Sequence, residues 1–366
     1  MMRSPRLTMT PSTITSLAAS PLDLPLTEPF AIATGARATA ANVLVRLTLA
    51  DGTIGLGEAA PFPEVSGETQ TSSLRAVEST RTWLLGRDAR AYRPLSAALG
   101  EALGCEAAAR AAIEMAILDA LTRHWHVPLW VFFGGQGAEI HTDMTITAGD
   151  ADHAAQAAAA ILARGISTIK IKVGALSAEQ DADRLAAVRR VAPAAPLIAD
   201  ANGGYTPDEA ARLLDRLEAQ GVALELFEQP VSPANWAEFR RRAAGKRVPL
   251  CADESARSAA DVLRLVRDDA VEAVNIKVMK CGVIEALTIW NVVRAAGKKI
   301  MIGGMVESSL SMTFSVHFAA GLGGFSYADL DTPMFIQREP WSGGFRQRGS
   351  ELSVAHVEAG HGVVAP

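Results

Sequence analysis

The chain has 366 residues, of which 49% are hydrophobic and 20% are charged, and its net charge is −5. This composition excludes a disordered or fibrous protein, and the length suggests about two domains. No basic segment is long enough to bind nucleic acid, no apolar stretch reaches the ~20 residues of a membrane helix, and the N-terminus lacks the apolar region of a signal peptide. The three cysteines are too widely spaced for a disulfide framework. We therefore expect a cytoplasmic protein with neither a nucleic-acid nor a membrane partner.

The first part of the chain predicts a small α+β unit over residues 1–135. Hydrophobic residues alternate along residues 43–49 up to the turn Asp51-Gly52, and the run 53–58 returns, which indicates a β-hairpin. After a loop rich in proline and glycine, residues 107–121 carry apolar side chains at helical spacing.

From about residue 140 a repeat begins, in which a short apolar run is followed by a polar end and a helix rich in Ala, Leu and Arg. The runs are HTDMTIT, STIKIK, PLIADAN, ALELFEQP, PLCADES, AVNIK, KIMIGG and SYADLD. Such alternation predicts parallel strands with crossover helices, and eight runs favour a (β/α)7β barrel over an open sheet. We therefore expect an α/β protein with a barrel over residues 136–333 and a last segment, 334–366, that packs back on the N-terminal unit.

Charged residues or a glycine-rich loop end seven consecutive runs. In a parallel barrel the carboxyl ends of all strands meet at one rim, where active sites lie. Each residue alone is compatible with a solvated strand end, but the series favours a shared site. The residues at these ends are Thr145, Lys170, Lys172, Asp200, Asn202, Glu228, Asp253, Glu254, Lys277, the loop Gly303 to Glu307, Asp329 and Asp331.

Three carboxylates, those of Asp200, Glu228 and Asp253, end successive runs and would repel one another if they were unpaired. A hard divalent cation removes this repulsion, and an all-oxygen ligand set suits Mg²⁺, whereas the absence of His and Cys at these ends disfavours zinc. The alternative is that each carboxylate pairs with an arginine.

Lysine is scarce in this chain, with only seven among 35 basic residues, yet four form the pairs Lys170/Lys172 and Lys277/Lys280. Lys170 and Lys172 are two residues apart on one strand, so both side chains should point to the same face, into the barrel mouth. Lys277 should lie across the mouth from them. Near a cation and each other, we expect the amines of Lys172 and Lys277 to have lowered pKa values and to exchange protons near neutral pH. Lys280 lies one turn past its strand, and we assign it no role. The alternative is that the lysines only neutralise the carboxylates.

A metal ion between two bases suits the removal of a proton α to a carboxylate. The resulting enediolate needs electrostatic stabilisation, which Mg²⁺ supplies. A lysine on each face of the carbon allows one to remove the proton and the other to deliver one, so the carbon is inverted.

The sequence resembles the muconate-lactonizing subgroup of the enolase superfamily, and within it the dipeptide epimerases. The matching segments are PLTEPFAIATGAR, GEAAPFP, IKIKVG, DAN, EQP, ADES, NIKVMK and DLDTP. Enolase-type sites combine a Lys or His base with Mg²⁺. The resemblance implies an N-terminal capping domain, Lys172 and Lys277 as the acid/base pair, and Lys170 as a partner of the substrate carboxylate. It also implies one Mg²⁺ per subunit, held by Asp200, Glu228 and Asp253.

Further residues gain roles from the same resemblance. Asp329 and Asp331 resemble the pair that binds the α-ammonium of a dipeptide. Positions that line the substrate pocket correspond to Thr145, Gly304 and Val306, and Asn202 and Glu254 resemble residues that orient the metal ligands. Relatives specific for Ala-Glu carry an arginine where this chain has Gly35, and the nearest arginine here is Arg37, two residues on. The preferred side chain of the dipeptide substrate therefore stays open between acidic, hydrophobic and cationic.

Other functions are compatible with parts of this pattern. An N-acylamino acid racemase, a cycloisomerase or an o-succinylbenzoate synthase would use the same barrel. A Schiff-base lyase would use Lys172 or Lys277 as a nucleophile, and a barrel that only binds a peptide or metal is the last alternative. Such barrels often associate, so a homo-oligomer is possible.

Overall fold

The structure is a computed structural model, and it describes residues 9–32, 35–147 and 149–365. The signal-peptide prediction concerns an N-terminus whose residues 1–8 lie outside this description. Across the described residues, no helix combines the length and the apolar character that crossing a membrane would require.

The N-terminal capping domain is an antiparallel sheet covered by helices. Its strands are β1 (Ile14–Ile32), β2 (Gly35–Leu49) and β3 (Ile54–Ala59), and its helices are α1 (Pro63–Ser66), α2 (Gln70–Leu84), α3 (Tyr92–Leu103), α4 (Ala107–His124) and α5 (Leu129–Phe132). The predicted hairpin is the β2–β3 pair, and Gly52 adopts a φ of +89° at its turn, which suits glycine. At Gly57 a Cβ would lie 2.0 Å from the carbonyl oxygen of Ala112, so this strand packs directly on the α4 backbone.

Eight parallel strands form the barrel. After the short strand β4 (Glu139–His141), the barrel strands and their helices are β5 (Met144–Ile146), α6 (Ala151–Ala163), β6 (Ile169–Lys172), α7 (Ala178–Val191), β7 (Leu197–Asp200), α8 (Pro207–Ala219), β8 (Leu226–Glu228), α9 (Trp236–Arg242), β9 (Leu250–Ala252), α10 (Ala259–Arg267), β10 (Ala273–Ile276), α11 (Val278–Cys281), α12 (Val283–Ala295), β11 (Lys299–Gly303), α13 (Ser309–Leu322) and β12 (Tyr327–Asp329). Neighbours follow chain order from β5 to β12. The Asp143 amide donates to the Ala328 carbonyl (2.9 Å) and brings the first and last strands together. The predicted (β/α)7β barrel is therefore confirmed.

The alternation of side chains along the barrel strands explains why charged groups gather at the barrel mouth. Side chains two positions apart on a strand point to the same side. An apolar cluster of Ile198, Leu226, Cys251, Ala273 and Met301 fills the interior. Two positions further along four of these strands stand Asp200, Glu228, Asp253 and Asn275. The polar layer thus lies directly above an apolar one, at the carboxyl ends of the strands.

The last segment returns to the capping domain. Its strands are β13 (Ser342–Gly343), β14 (Arg346–Arg348), β15 (Glu351–Ser353) and β16 (Val363–Val364), and β15 pairs with β4. The amide of Leu129 donates to the Gly360 carbonyl (2.9 Å), and the His361 amide donates to Asp119 Oδ1 (2.9 Å).

Candidate active site

One buried lysine, Lys170, joins three carboxylates inside the barrel mouth. Its Nζ lies 2.9 Å from Asp200 Oδ2, 2.8 Å from Glu228 Oε2 and 2.6 Å from Asp329 Oδ2. Lys172, two residues further along β6, contacts Asp200 Oδ2 at 2.7 Å. Lys170 is fully buried and Lys172 is 8% exposed. The structure therefore brings these predicted residues together at one point.

A second group of side chains holds Asp253, which directly follows β9. Lys277 Nζ lies 2.8 Å from its Oδ2, and Lys280 Nζ donates to its Oδ1 (2.6 Å) and to its carbonyl oxygen (2.7 Å). Lys280 also donates to the backbone carbonyl of Asn275 (2.8 Å). The side-chain Nδ2 of Asn275 in turn donates to Glu228 Oε1 (2.6 Å). Lys280, to which the sequence assigned no role, reaches the site as well, because its long side chain folds back from α11 onto Asp253.

The three predicted ligands are of the type that suits a divalent cation, but their free oxygens contact lysine amines, at 2.7 to 2.9 Å. Among the described residues, the three carboxylates whose oxygens lie within 4.8 Å of one another are instead Asp143, Asp329 and Asp331. In each predicted ligand, one carboxylate oxygen accepts a hydrogen bond from a neighbour and the other faces a lysine amine. The donors to the first oxygen are the backbone amide of Asn202 for Asp200 (3.0 Å), Asn275 Nδ2 for Glu228 and Lys280 Nζ for Asp253. These second oxygens are buried and all hard, which is the ligand type that Mg²⁺ prefers. No arginine takes part in the ion pairs of these three carboxylates among the described residues.

The predicted orienting residues contact each other beside this cluster. Asn202 Nδ2 donates to Glu254 Oε1 (3.1 Å), and Asn202 adopts a φ of +43° that lets its amide reach Asp200. Burial, together with the charge of Asp253, raises the pKa of Glu254 to about 7.

In the absence of a cation, the carboxylates around two of the mouth lysines raise the pKa values of these amines, so the lowering expected beside Mg²⁺ stays a prediction. Burial by itself lowers the pKa of Lys277, but the charges of Asp253 and Glu228 outweigh it and raise the pKa above its usual value. The pKa of Lys170 is raised in the same way, because Asp200 and Asp329 outweigh its burial. The prediction assumed a cation that offsets the carboxylates, and here their negative charge dominates.

The predicted ammonium site contains a third carboxylate that the sequence reasoning missed. Asp331 Oδ2 accepts from the Thr145 amide (2.6 Å), and burial with the charge of Asp329 raises the pKa of Asp331 to about 7. Asp143 is 1% exposed and has an oxygen within 4.8 Å of those of Asp329 and Asp331. Among the residues that the structure describes, neither of its carboxylate oxygens has a hydrogen-bond partner. Its position two residues before Thr145 was the available clue.

The capping domain forms part of the lining of the pocket above these groups. The pocket contains the predicted residues Gly304 and Val306, and a Cβ at Gly304 would lie 2.2 Å from Met312 Cε. The full lining is Phe30, Phe62, Val65, Thr145, Lys172, Asn202, Lys277, Gly304, Met305, Val306, Asp329, Asp331 and Thr332.

A buried polar network fastens the pocket loop to the capping sheet. Asn42 Nδ2 donates to the Val306 carbonyl (2.9 Å) and to Glu58 Oε1 (2.7 Å), and Glu58 Oε1 also accepts from the Ser308 amide (2.9 Å). The two domains therefore share the wall of the pocket.

Arg37 does not present a free charge to the pocket. Its guanidinium makes two hydrogen bonds to Glu64, each 2.9 Å, and lies over the Phe62 ring at 5.5 Å from the centroid. The capping domain thus lines the pocket with the apolar side chains of Phe30, Phe62 and Val65.

A capping domain on an eight-stranded barrel, with lysines and carboxylates at the strand ends, defines the enolase class of barrel enzymes. Residues 16–134 match the N-terminal domain of the mandelate racemase/muconate lactonizing enzyme family, and residues 152–365 match the enolase C-terminal domain-like family. The chain belongs to the mandelate racemase/muconate lactonizing enzyme family of the enolase superfamily, as the sequence motifs predicted.

Several known proteins are similar over nearly the whole chain. An aromatic dipeptide epimerase from Herpetosiphon aurantiacus is 54% identical over 353 residues, which cover 96% of this chain and 99% of that protein. A mandelate racemase/muconate lactonizing protein structure from the same organism has a TM-score of 0.95 and 53% identity, covering 98% of this chain and 99% of that one. The dipeptide epimerase of Enterococcus faecalis, solved with Mg and L-Leu-L-Tyr, has a TM-score of 0.91 and 30% identity, covering 96% and 99%.

Proposed function

We propose that this chain is a Mg²⁺-dependent dipeptide epimerase, an isomerase that inverts the α-carbon of the C-terminal residue of a dipeptide. The observation that carries the proposal is the placement of two buried lysines across the barrel mouth. Lys172 ends β6 and Lys277 follows β10, and these strands are four positions apart in an eight-stranded barrel. Two bases on opposite sides of one carbon suit removal of a proton from one face and delivery to the other.

The carboxylates between the lysines complete this chemistry. Asp200, Glu228 and Asp253 would hold the Mg²⁺, whose positive charge would stabilise the negative charge that develops on the substrate carboxylate. Lys170, fixed by three carboxylates, supplies a constant positive charge below the substrate. Lys172 and Lys277 take the α-proton and return one, and Asn202 and Glu254 hold the ligands in orientation.

A dipeptide is favoured over an N-acylated amino acid because of the carboxylates at the far side of the mouth. A free ammonium would meet Asp329 and Asp331 beside Thr145, whereas an N-acyl group brings no positive charge to them. The names of the relatives, which include aromatic and L-Ala-D/L-Glu dipeptide epimerases, support the same substrate class.

We infer further that the epimerised residue has an apolar, preferably aromatic, side chain. The capping domain lines the pocket with Phe30, Phe62 and Val65, and the charge of Arg37 is already paired with Glu64. An acidic side chain would lose its hydration there without gaining a free counter-ion.

The test is an isotope-exchange screen. The purified protein with Mg²⁺ is incubated in D₂O with L,L-dipeptides that end in aromatic, aliphatic, acidic or basic residues, and with N-acetylated amino acids. We expect deuterium at the α-carbon of the C-terminal residue and formation of the L,D-epimer, fastest with aromatic residues and lost on adding EDTA. Exchange only with N-acetylated amino acids, or none with any dipeptide, would refute the proposal.

We infer a division into residues 1–135, 136–333 and 334–366, supported by the separate sheets β1–β3 and β5–β12 of the first two parts; β4 of the middle part pairs with β15 of the last. A cytoplasmic location is supported by three cysteines that are all free.

A further inference from the structure

A buried arginine on the outside of the barrel holds the strand that carries Lys172. Arg184, on α7, is 2% exposed. Its Nη1 donates to the carbonyl of Lys172 (2.7 Å), and its Nη2 donates to the carbonyl of Thr147 (2.8 Å). These carbonyls stand at the carboxyl ends of β6 and β5, so one planar group connects the two strand ends next to the site.

The guanidinium is itself fixed from the other side. Arg184 Nη1 donates to Asp181 Oδ1 (2.7 Å), and Asp181 Oδ2 accepts from the hydroxyl of Tyr205 (2.5 Å) and from the amide of Gly174 (2.8 Å). Gly174 follows Lys172 by two residues and has a φ of +85°. A buried ion pair of this kind contributes little net stability compared with apolar side chains of similar volume, so its value lies in the geometry it fixes.

Lys172 depends on its backbone more than Lys170 and Lys280 do. Its Nζ has one carboxylate contact, Asp200, whereas Lys170 has three and Lys280 makes three hydrogen bonds. With few side-chain contacts, the direction of the Lys172 amine is set mainly by the end of β6.

We propose that Arg184 is a positioning residue for Lys172, which holds the end of β6 so that this amine, and not Lys277, stays in line with the α-carbon. The proposal rests on the proposed epimerase function. Its consequence is one-sided: loss of Arg184 should impair proton transfer on the face of Lys172 and leave the face of Lys277 intact.

The chain offers a matched control on the same helix. Arg189, also on α7, donates to the carbonyls of Ala195 (2.8 Å) and Ala223 (3.0 Å), which precede β7 and β8 at the opposite end of the barrel. Arg189→Lys therefore removes the same kind of arginine-to-carbonyl contact far from the mouth.

The experiment measures exchange and inversion separately for both epimers of one aromatic dipeptide in D₂O, with wild type, Arg184→Lys and Arg189→Lys. In Arg184→Lys, the epimer whose α-proton faces Lys277 should still exchange this proton for deuterium, because Lys277 can remove the proton and return a deuteron on the same face. The rate of inversion of this epimer should fall. Its ratio of exchange to inversion should rise about tenfold or more, since small misplacements of a reacting group carry large rate costs. The other epimer should lose exchange and inversion together, and Arg189→Lys should keep the wild-type ratios.

Equal loss for both epimers in Arg184→Lys, or unchanged ratios, would overturn the proposal. Tyr205→Phe provides a milder variant if Arg184→Lys does not fold, because it removes only the hydroxyl that holds Asp181. The same one-sided change, smaller in size, is expected from it, and a symmetric change would overturn the proposal equally. A wild-type protein that exchanges no dipeptide would refute the proposed function itself, whereas an active wild type with symmetric variants refutes only the role of Arg184.

Discussion

Replacing Glu64 by Gln should extend the substrate range of this protein towards acidic side chains. In the structure, Glu64 accepts two hydrogen bonds from Arg37, and these hydrogen bonds keep the pKa of Glu64 below its usual value. The guanidinium lies over Phe62, whose ring lines the pocket. Glu64→Gln removes the negative charge but preserves the size of the side chain, so Arg37 becomes a free cation one ring away from the substrate.

The expected size of the effect follows from exposure and distance. The guanidinium lies 5.5 Å from the Phe62 centroid, so a substrate carboxylate on the other face of the ring would be roughly 9 Å away, where two unit charges near a protein surface interact by about 1.8 kcal/mol. The Arg37 and Glu64 side chains are 27% and 24% exposed, so solvent screens part of this energy. We expect about 1.4 kcal/mol to be gained by an acidic substrate, or roughly a tenfold rise in its kcat/KM relative to an aromatic one. The folding stability should change by less than about 1 kcal/mol, because the lost pair is partly solvated.

The assay is the ratio of kcat/KM for L-Ala-L-Glu to that for L-Ala-L-Phe. Glu78→Gln is the matched control, since Glu78 pairs with Arg81 on α2 of the same domain, far from the pocket lining. The double variant Arg37→Met with Glu64→Gln should return the ratio to the wild-type value. An unchanged ratio in Glu64→Gln, or a raised ratio that persists in the double variant, would refute this reasoning.

Three further changes have expected outcomes. Lys277→Ala should abolish inversion of dipeptides but allow deuterium exchange from the face of Lys172, as followed by mass spectrometry and chiral chromatography, and retained inversion would contradict the two-base scheme. Gly57→Ala should lower the free energy of unfolding in urea by more than about 3 kcal/mol, because the new Cβ would lie 2.0 Å from the Ala112 carbonyl oxygen. Burial, with a smaller contribution from His361, lowers the pKa of His317 to about 3, so the folded state takes up this proton less readily than the unfolded state. Stability should therefore fall as the pH falls from about 6.5 towards 3, by up to ~1.4 kcal/mol per pH unit, and His317→Gln should reduce that slope in urea titrations at several pH values.

The periodic part of the chain made most of the fold and site predictable. The barrel strands have three to five residues, and six of the eight end in a charged residue or are followed directly by one: Lys172, Asp200, Glu228, Asp253, Lys277 and Asp329. Parallel strands bring such ends to one rim. This argument located Lys170, Asp200 and Glu228 as neighbours without any knowledge of their contacts. It needs only the direction of the strands and the alternation of side chains, both of which are properties of the backbone.

What could not be predicted depends on side-chain reach and on charge balance. Lys280 lies on α11, and only the folded path of its side chain shows that it ends on Asp253. Asp143 precedes a strand of three residues, too short for its pattern to reveal a direction. The pKa direction of Lys277 depends on how many carboxylates surround it at once, which is a property of the assembled site.

The contacts of the four lysines at the barrel mouth divide them by role. Lys170 contacts three carboxylates, and Lys280 makes three hydrogen bonds around Asp253, so neither amine is free to move towards a substrate. Lys172 and Lys277 each contact one carboxylate and line the pocket. An arginine could supply the charge of Lys170 or Lys280 only if the buried site were larger. It could not take the place of Lys172 or Lys277 at all, because a guanidinium does not release its proton in proteins. The other three lysines, Lys246, Lys298 and Lys299, form ion pairs with exposed carboxylates, so the requirement for lysine rather than arginine applies to the four amines at the barrel mouth.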